Sequence, residues 1–175
     1  MPSNDIPIKI IPDFITEREE ADLVKFANSK LRKYKYEMNH FDSVIKDYRE
    51  VTTSKIPLES KILGYLKDIV PENSQKWQDF HILDLNKTGY IDYHIDNYSG
   101  EYIAGLCLLA DSVMSFRKGS DEFYAYLPRR CLYVQYGFIR KEYEHALFKK
   151  YNVALPDHFN IDKQRRISIL ARLKQ

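Results

Sequence analysis

The sequence predicts a mainly β fold, a double-stranded β-helix (a form of jelly roll) buttressed by N-terminal helices. Three observations predict it. Beyond Trp77, eight short runs rich in β-branched and aromatic residues follow one another. Clusters of turn residues separate them. Ahead of them lie two stretches whose apolar residues recur at helical intervals.

Taken in order, Ile8–Ile11 is a short apolar run ended by Pro12 and predicts a strand. Thr16 and Glu19 have capping-box spacing, and Ala21, Val24, Ala27 and Leu31 follow on one helical face, so a helix is expected from Thr16 to Leu31. A second helix is expected over Glu59–Val70, ended by Pro71. The predicted strands are Phe80–Leu85, Tyr90–His94, Tyr102–Leu109, Val113–Arg117, Phe123–Leu127, Cys131–Tyr136, Glu144–Leu147 and Arg166–Leu173. Asn86-Lys87-Thr88-Gly89, Ser99-Gly100, Lys118-Gly119-Ser120-Asp121 and Pro128 punctuate them. Asn152 to Gln164, with Pro156, reads as a loop, and no repeat or low-complexity segment is visible. The 175 residues suit one domain spanning 1–175, with a helical and strand buttress over 1–78 and a jelly-roll core over 79–175.

Composition narrows the function classes. Hydrophobic residues at 44% can fill a core and charged residues at 30% can cover a surface. No apolar run approaches the length of a membrane span. A net charge of +2 does not by itself indicate nucleic-acid binding, and the basic cluster Lys30, Arg32, Lys33 and Lys35 reads first as a solvated helix end. Cys107 and Cys131 sit in apolar runs without a CxxC, which predicts two buried thiols in a reducing compartment rather than a disulfide framework or a zinc site. The first twenty residues hold five acids and only one arginine, Arg18, an unsuitable composition for a mitochondrial transit peptide, so an intracellular location, with the cytoplasm as one option, is expected from the residues alone.

The chemistry begins at His94-Ile95-Asp96. On a strand, residues two apart share a face, so an imidazole and a carboxylate can bind one metal side by side. Two histidines and one carboxylate on one face of an octahedron is the arrangement of non-haem iron(II) oxygenases. The pair alone is weak, since a chain of this length carries one by chance about one time in six. His145, 51 residues on in a predicted late strand, is a candidate third ligand, although a buried structural histidine explains it equally well taken alone. The last strand adds weight. Ile167, Ile169, Ala171 and Leu173 share one face, while Arg166, Ser168, Leu170 and Arg172 share the other. A buried guanidinium needs a partner, and a small dicarboxylate bracketed between two arginines about 20 Å apart along the strand would supply one. The alternative is an exposed edge strand.

With these residues in view, His94-x-Asp96, His145 and Arg166-x-Ser168-x-x-x-Arg172 resemble the AlkB family of dioxygenases. The resemblance is closer to one animal branch, the seventh homologues, which are mitochondrial. Arg32 to Tyr36 with His40-Phe41-Asp42, Asp84-Leu85 through Gly89-Tyr90-Ile91 to Asp96, Ile103 to Leu109 with Ser112-Val113-Met114, and Arg165 to Ser168 carry it, so it spans nearly the whole chain. It implies iron(II) on His94, Asp96 and His145, with 2-oxoglutarate as cosubstrate and oxygen as oxidant. It implies cosubstrate contacts from Arg166, Ser168, Arg172 and Tyr133, and from His81 at the position of a cosubstrate-contacting histidine. It also implies oxidative hydroxylation or N-demethylation of methylated RNA or of protein, and a mitochondrial location. Two departures from the nucleic-acid repair members make duplex DNA an unexpected partner. Leu83-Asp84-Leu85 stands where they carry Asn-x-Tyr, and Asp42 to Gln78 is short for their nucleotide-gripping lid. The alternatives are a prolyl-hydroxylase-like protein hydroxylase, which the Arg-x-Ser-x-x-x-Arg ending disfavours, and a non-catalytic jelly-roll binding protein, which would not need both arginines and all three ligands.

Overall fold

A computed structural model describes residues 6–40, 42–148, 154, 157–159 and 164–175. The strands are β1 (Ile8–Ile11), β2 (Ile45–Thr53), β3 (Phe80–His94), β4 (Ile103–Leu108), β5 (Ser112–Lys118), β6 (Asp121–Leu127), β7 (Leu132–Gln135), β8 (Glu144–Leu147) and β9 (Arg166–Arg172). The helices are α1 (Glu17–Leu31), α2 (Glu59–Lys67) and α3 (Gly137–Glu142). The expected loop over Asn152–Gln164 falls largely outside the described residues.

The sheet runs in the order β1-β7-β4-β9-β3-β8-β5-β6, with β2 on the other flank of β3. Two strands expected over Phe80–Leu85 and Tyr90–His94 are one continuous element, β3, whose halves serve different layers. β2 pairs along both halves, while β9 pairs with the first half and β8 with the second. The turn residues Asn86 to Gly89 mark the bend between layers rather than a chain reversal. There the β2 ladder slips between Lys46 and Tyr48. A Cβ on Gly89 would come within 2.5 Å of the Asp47 carbonyl oxygen, so only glycine fits that approach.

Alternation assigns the two faces. Ile82, Ala104, Leu106, Leu132, Val134, Ile167, Ile169 and Ala171 pack with Leu23, Ala27 and Leu31 of α1 and Ile62 and Leu66 of α2. The helices thus buttress the outer face, as expected. Thr16 caps α1 with Glu19 in a reciprocal capping box. Lys30 lies in the last turn of α1, and Arg32 is its C-cap, so part of the basic cluster ends a helix. On the inner face Leu83, Leu85, Cys107, Cys131, Tyr133, Met114, Phe116 and Leu170 form a second cluster between the layers. The site lies at its edge.

Candidate active site

β3 and β8 build the centre. Their antiparallel register sets His94 directly opposite His145, so two residues far apart in sequence become cross-strand neighbours with ring centroids 4.3 Å apart. Phe116, fully buried on β5, pairs with His145 across the next ladder and backs its ring. Asp96 lies just past the end of β3, a correction to the expectation that strand alternation would carry it. Its Oδ1 is nonetheless 3.1 Å from His94 Nε2. One ligand atom from each of the three residues lies within 4.8 Å of the others. His94 Nδ1 is 2.9 Å from the Asp92 carbonyl oxygen, which can only accept, so Nδ1 carries a hydrogen and Nε2 is the nitrogen turned into the cluster.

Electrostatics prepare the donors. Burial, reinforced by the neighbouring His94 charge, lowers His145 to about 3, which leaves its imidazole neutral with a free lone pair. Burial pushes Asp96 up, but the His94 hydrogen bond and the charge of Arg172 hold it well below the usual carboxylate range. Burial pulls His94 down, yet the hydrogen bond and charge of Asp96 raise it overall.

What holds Asp96 off the strand is Arg140 of α3, which the sequence reading missed. The guanidinium is buried, and its Nη2 donates to the Asp96 carbonyl and, at 2.9 Å, to the Ser99 carbonyl. Nothing in Phe138-Ile139-Arg140 signals that contact, because its targets are main-chain atoms.

The far end of the site comes from β9. This strand lies between β3 and β4 and is buried on both faces, which removes the exposed-edge alternative for its arginines. Arg166 is 2% exposed. Its Nη1 donates to Ser168 Oγ and its Nη2 lies 3.2 Å from Cys107 Sγ, while its Nε has no hydrogen-bond partner among the described residues. Tyr133 of β7 lies across Gly105 of β4, where a Cβ would meet the ring at 2.4 Å. Burial pushes the Tyr133 hydroxyl up, so it stays protonated. One cavity joins Arg166, Ser168, Tyr133, Arg172 and His81 to His94, Asp96 and His145, so every residue expected at the site lines it. At the position of the absent Asn-x-Tyr, Leu83 and Leu85 belong to the inner apolar cluster.

Arg172 reaches Asp96, with its Nε 3.5 Å from Oδ2. Its Nη1 lies 2.9 Å from His81 Nδ1. Arginine only donates, so His81 accepts at Nδ1 and donates from Nε2 to Glu50 Oε2 at 2.6 Å. Glu50 belongs to β2, a strand the sequence reading did not anticipate. Its other oxygen is 3.3 Å from His40 Nε2. His81 is therefore a brace for Arg172 as well as part of the cavity wall.

The residues fit the groups expected there. Two imidazoles and a carboxylate converging from one side are a donor set suited to iron(II) with open positions. A buried guanidinium whose Nε no described residue partners suits a carboxylate from a bound ligand.

Comparison with known proteins agrees. No protein-family model matches the chain. It is 30% identical over 169 residues to the mouse protein named alpha-ketoglutarate-dependent dioxygenase alkB homolog 7, mitochondrial, covering 92% of this chain and 76% of that one. The cattle protein of the same name is 30% identical over 168 residues with the same coverage. Among solved structures, OsALKBH1 matches with a TM-score of 0.66 at 8% identity, over 98% of this chain and 100% of that one. A Pseudomonas putida prolyl-4-hydroxylase matches at 0.64 and 11% identity, over 97% and 92%. A Trichoplax adhaerens prolyl hydroxylase, in complex with a hypoxia-inducible-factor peptide, matches at 0.63 and 9% identity, over 97% and 84%. These structures share the jelly-roll fold. Identity at that level over most of both chains settles the kinship: this chain belongs to the AlkB family of alpha-ketoglutarate-dependent dioxygenases.

Proposed function

We propose that His94, Asp96 and His145 hold the iron(II) of this dioxygenase, that Arg166, Ser168, Tyr133 and Arg172 seat its 2-oxoglutarate, and that it oxidises a C–H bond of methylated RNA or of a protein side chain. The observation that carries the reading is Arg166, a buried guanidinium with an unpartnered Nε in the cavity that also holds the three-ligand cluster. When bound, iron, 2-oxoglutarate and oxygen supply oxidising power, yielding succinate, carbon dioxide and a hydroxylated substrate.

The chain's own residues then have separate tasks. Arg166 and Ser168 fix the outer carboxylate. The neutral Tyr133 hydroxyl is able to donate to the same group without adding charge. Arg172, braced by His81 and Glu50, offers its guanidinium to the carboxylate nearest Asp96. Leu83, Ile91, Met114, Leu147 and Leu170 keep the interior dry. Hydroxylation of an N-methyl group releases formaldehyde, whereas a hydroxylated protein side chain persists. The relatives' names support a mitochondrial location. Among the described residues no helix is long and apolar enough to cross a membrane.

The test is succinate formation with iron(II), ascorbate and 2-oxoglutarate. Turnover without substrate is expected, and it should disappear in His94→Ala. Arg166→Ala should raise the 2-oxoglutarate requirement by about tenfold or more, the value of about 1.5–3 kcal/mol for a charged hydrogen bond. Turnover indifferent to His94→Ala would remove the iron assignment. Formaldehyde release across methylated RNAs, set against mass-spectrometric hydroxylation of extract proteins, separates the two substrate classes.

A further inference from the structure

Cys107 and Cys131 have no part in the chemistry above, yet their placement is specific. In the β4–β7 ladder Gly105 pairs with Tyr133 and Leu106 with Leu132, and just beyond that register a bulge sets Arg130 and Cys131 together opposite Cys107. The Cys107 N–H donates to the Cys131 carbonyl at 3.0 Å, and the Arg130 N–H donates to the Cys107 carbonyl at 2.7 Å. Opposed residues of a regular ladder have Cα atoms about 4.5–5.5 Å apart, and the hydrogen bond from Cys107 to the Cys131 carbonyl keeps this pair near the span of about 4.4–6.8 Å that a disulfide bridges. Both thiols are fully buried on the inner face. Cys107 Sγ is also 3.2 Å from Arg166 Nη2, and Ser168 Oγ is the other acceptor on that guanidinium.

We propose that Cys107 and Cys131 form an oxidisable dithiol site, in which the Cys107 sulfur partners Arg166 until a dicarboxylate takes its place, so that cosubstrate occupancy governs oxidation of the pair. The dithiol stands on strand geometry alone, while its coupling rests on the reading of Arg166 as cosubstrate anchor.

The neighbouring Cys131 thiol favours charge on the Cys107 sulfur, and the Arg166 guanidinium adds its charge. Together they outweigh burial and the more distant Asp111 carboxylate to favour the Cys107 thiolate. Cys131 is pushed up by the Cys107 sulfur beside it and by burial, and remains a thiol. A thiolate is the form that reacts with a hydroperoxide. The Cys107 sulfur attacks one peroxide oxygen, an S–O bond forms as the O–O bond breaks, and the departing oxygen leaves as water once protonated. The Cys131 sulfur then attacks the Cys107 sulfur, the S–S bond forms, and the S–O bond breaks with loss of a second water that carries off the Cys131 proton. Two thiols lose two electrons and one hydrogen peroxide becomes two waters. A carboxylate is a stronger acceptor for guanidinium than a thiolate sulfur. When it engages Arg166, the Cys107 thiolate loses its counter-ion and reverts to the unreactive thiol.

The experiment exposes the metal-free full chain to hydrogen peroxide, quenches with an alkylating agent and maps the cysteines by mass spectrometry. A Cys107–Cys131 crosslink reversed by dithiothreitol is expected. N-oxalylglycine, an unreactive 2-oxoglutarate analogue, should slow it by about threefold or more, at concentrations where calorimetry shows it bound. Cys131→Ser should leave a sulfenic acid on Cys107 that dimedone captures. Two cysteines still alkylated at a peroxide dose that oxidises Met38, which is exposed, would overturn the dithiol site. Crosslinking at an unchanged rate with the analogue bound would overturn the coupling. Absence of analogue binding would instead overturn the cosubstrate reading of Arg166, while the crosslink still decides the dithiol.

Discussion

Arg140 acts on the candidate iron site without being one of its ligands. From a buried position it donates one hydrogen bond to the Asp96 carbonyl and one to the Ser99 carbonyl, and its Nε has no partner among the described residues. Removing such an outer support typically costs about tenfold to a hundredfold in metal affinity. Arg140→Met is therefore expected to weaken manganese(II) or cobalt(II) binding by about tenfold in a calorimetric titration, with Arg140→Lys recovering part of it. The 2-oxoglutarate requirement at saturating metal should stay unchanged. Equal metal affinity in wild type and Arg140→Met would show the contact to be incidental. His94, Asp96 and His145 stand out in the sequence because a candidate metal cluster is built from particular side-chain donors. Arg140 does not, because any chain segment offers the carbonyls it holds. Asp96 was legible for an incomplete reason, since a supported turn rather than a strand face presents it.

At the level of elements, β9 was readable because its two faces differ cleanly, with aliphatics outward and Arg166, Ser168 and Arg172 inward. β2 was not. Asp47 adopts a left-handed φ of 50° and the register slips beside it, so the alternation changes parity within the strand. Its contribution is nonetheless large, for it brings both Glu50 to His81 and Arg49 to Asp84. Asp84 is fully buried on β3 and accepts from Arg49 Nε at 2.7 Å, Arg165 Nε at 2.9 Å and the Tyr36 hydroxyl at 2.9 Å. Arg165 also donates to Asn28 of α1 at 2.7 Å. This carboxylate thus ties β2, β3, the start of β9 and α1 together outside the cavity. Asp84→Asn should destabilise the fold by about 3 kcal/mol, the low end for breaking a buried pair, because both arginines keep some solvent. Urea unfolding checks it, and a loss below about 1 kcal/mol would show that the network is dispensable.

For the molecule as a whole, metal, proton and stability are linked through His94. Its folded-state value is raised, so in the metal-free protein its contribution is fully present below the unfolded pKa and is lost as pH rises through the folded one. Metal requires the unprotonated nitrogen, so metal stabilisation grows over that same interval. At a hundredfold excess over the dissociation constant, manganese(II) should add about 2.7 kcal/mol at about pH 8. Below the folded pKa of His94, affinity should fall by about tenfold per pH unit. Denaturant melts with and without manganese at about pH 6 and pH 8 test this, and an increment independent of pH would contradict it. The jelly-roll class was legible in the run of short strands, but the union of two of them into β3 was not, because a bend and a hairpin use the same turn residues. That union has a kinetic consequence. β3 recruits β2 from before it and β8 and β9 from long after it, so both layers wait on distant chain segments. Such high contact order places folding on the slow side, in about milliseconds to seconds. The ligand cluster, split between β3 and β8, cannot exist before that ladder closes, so the onset of metal binding is a clock for the late stages of folding.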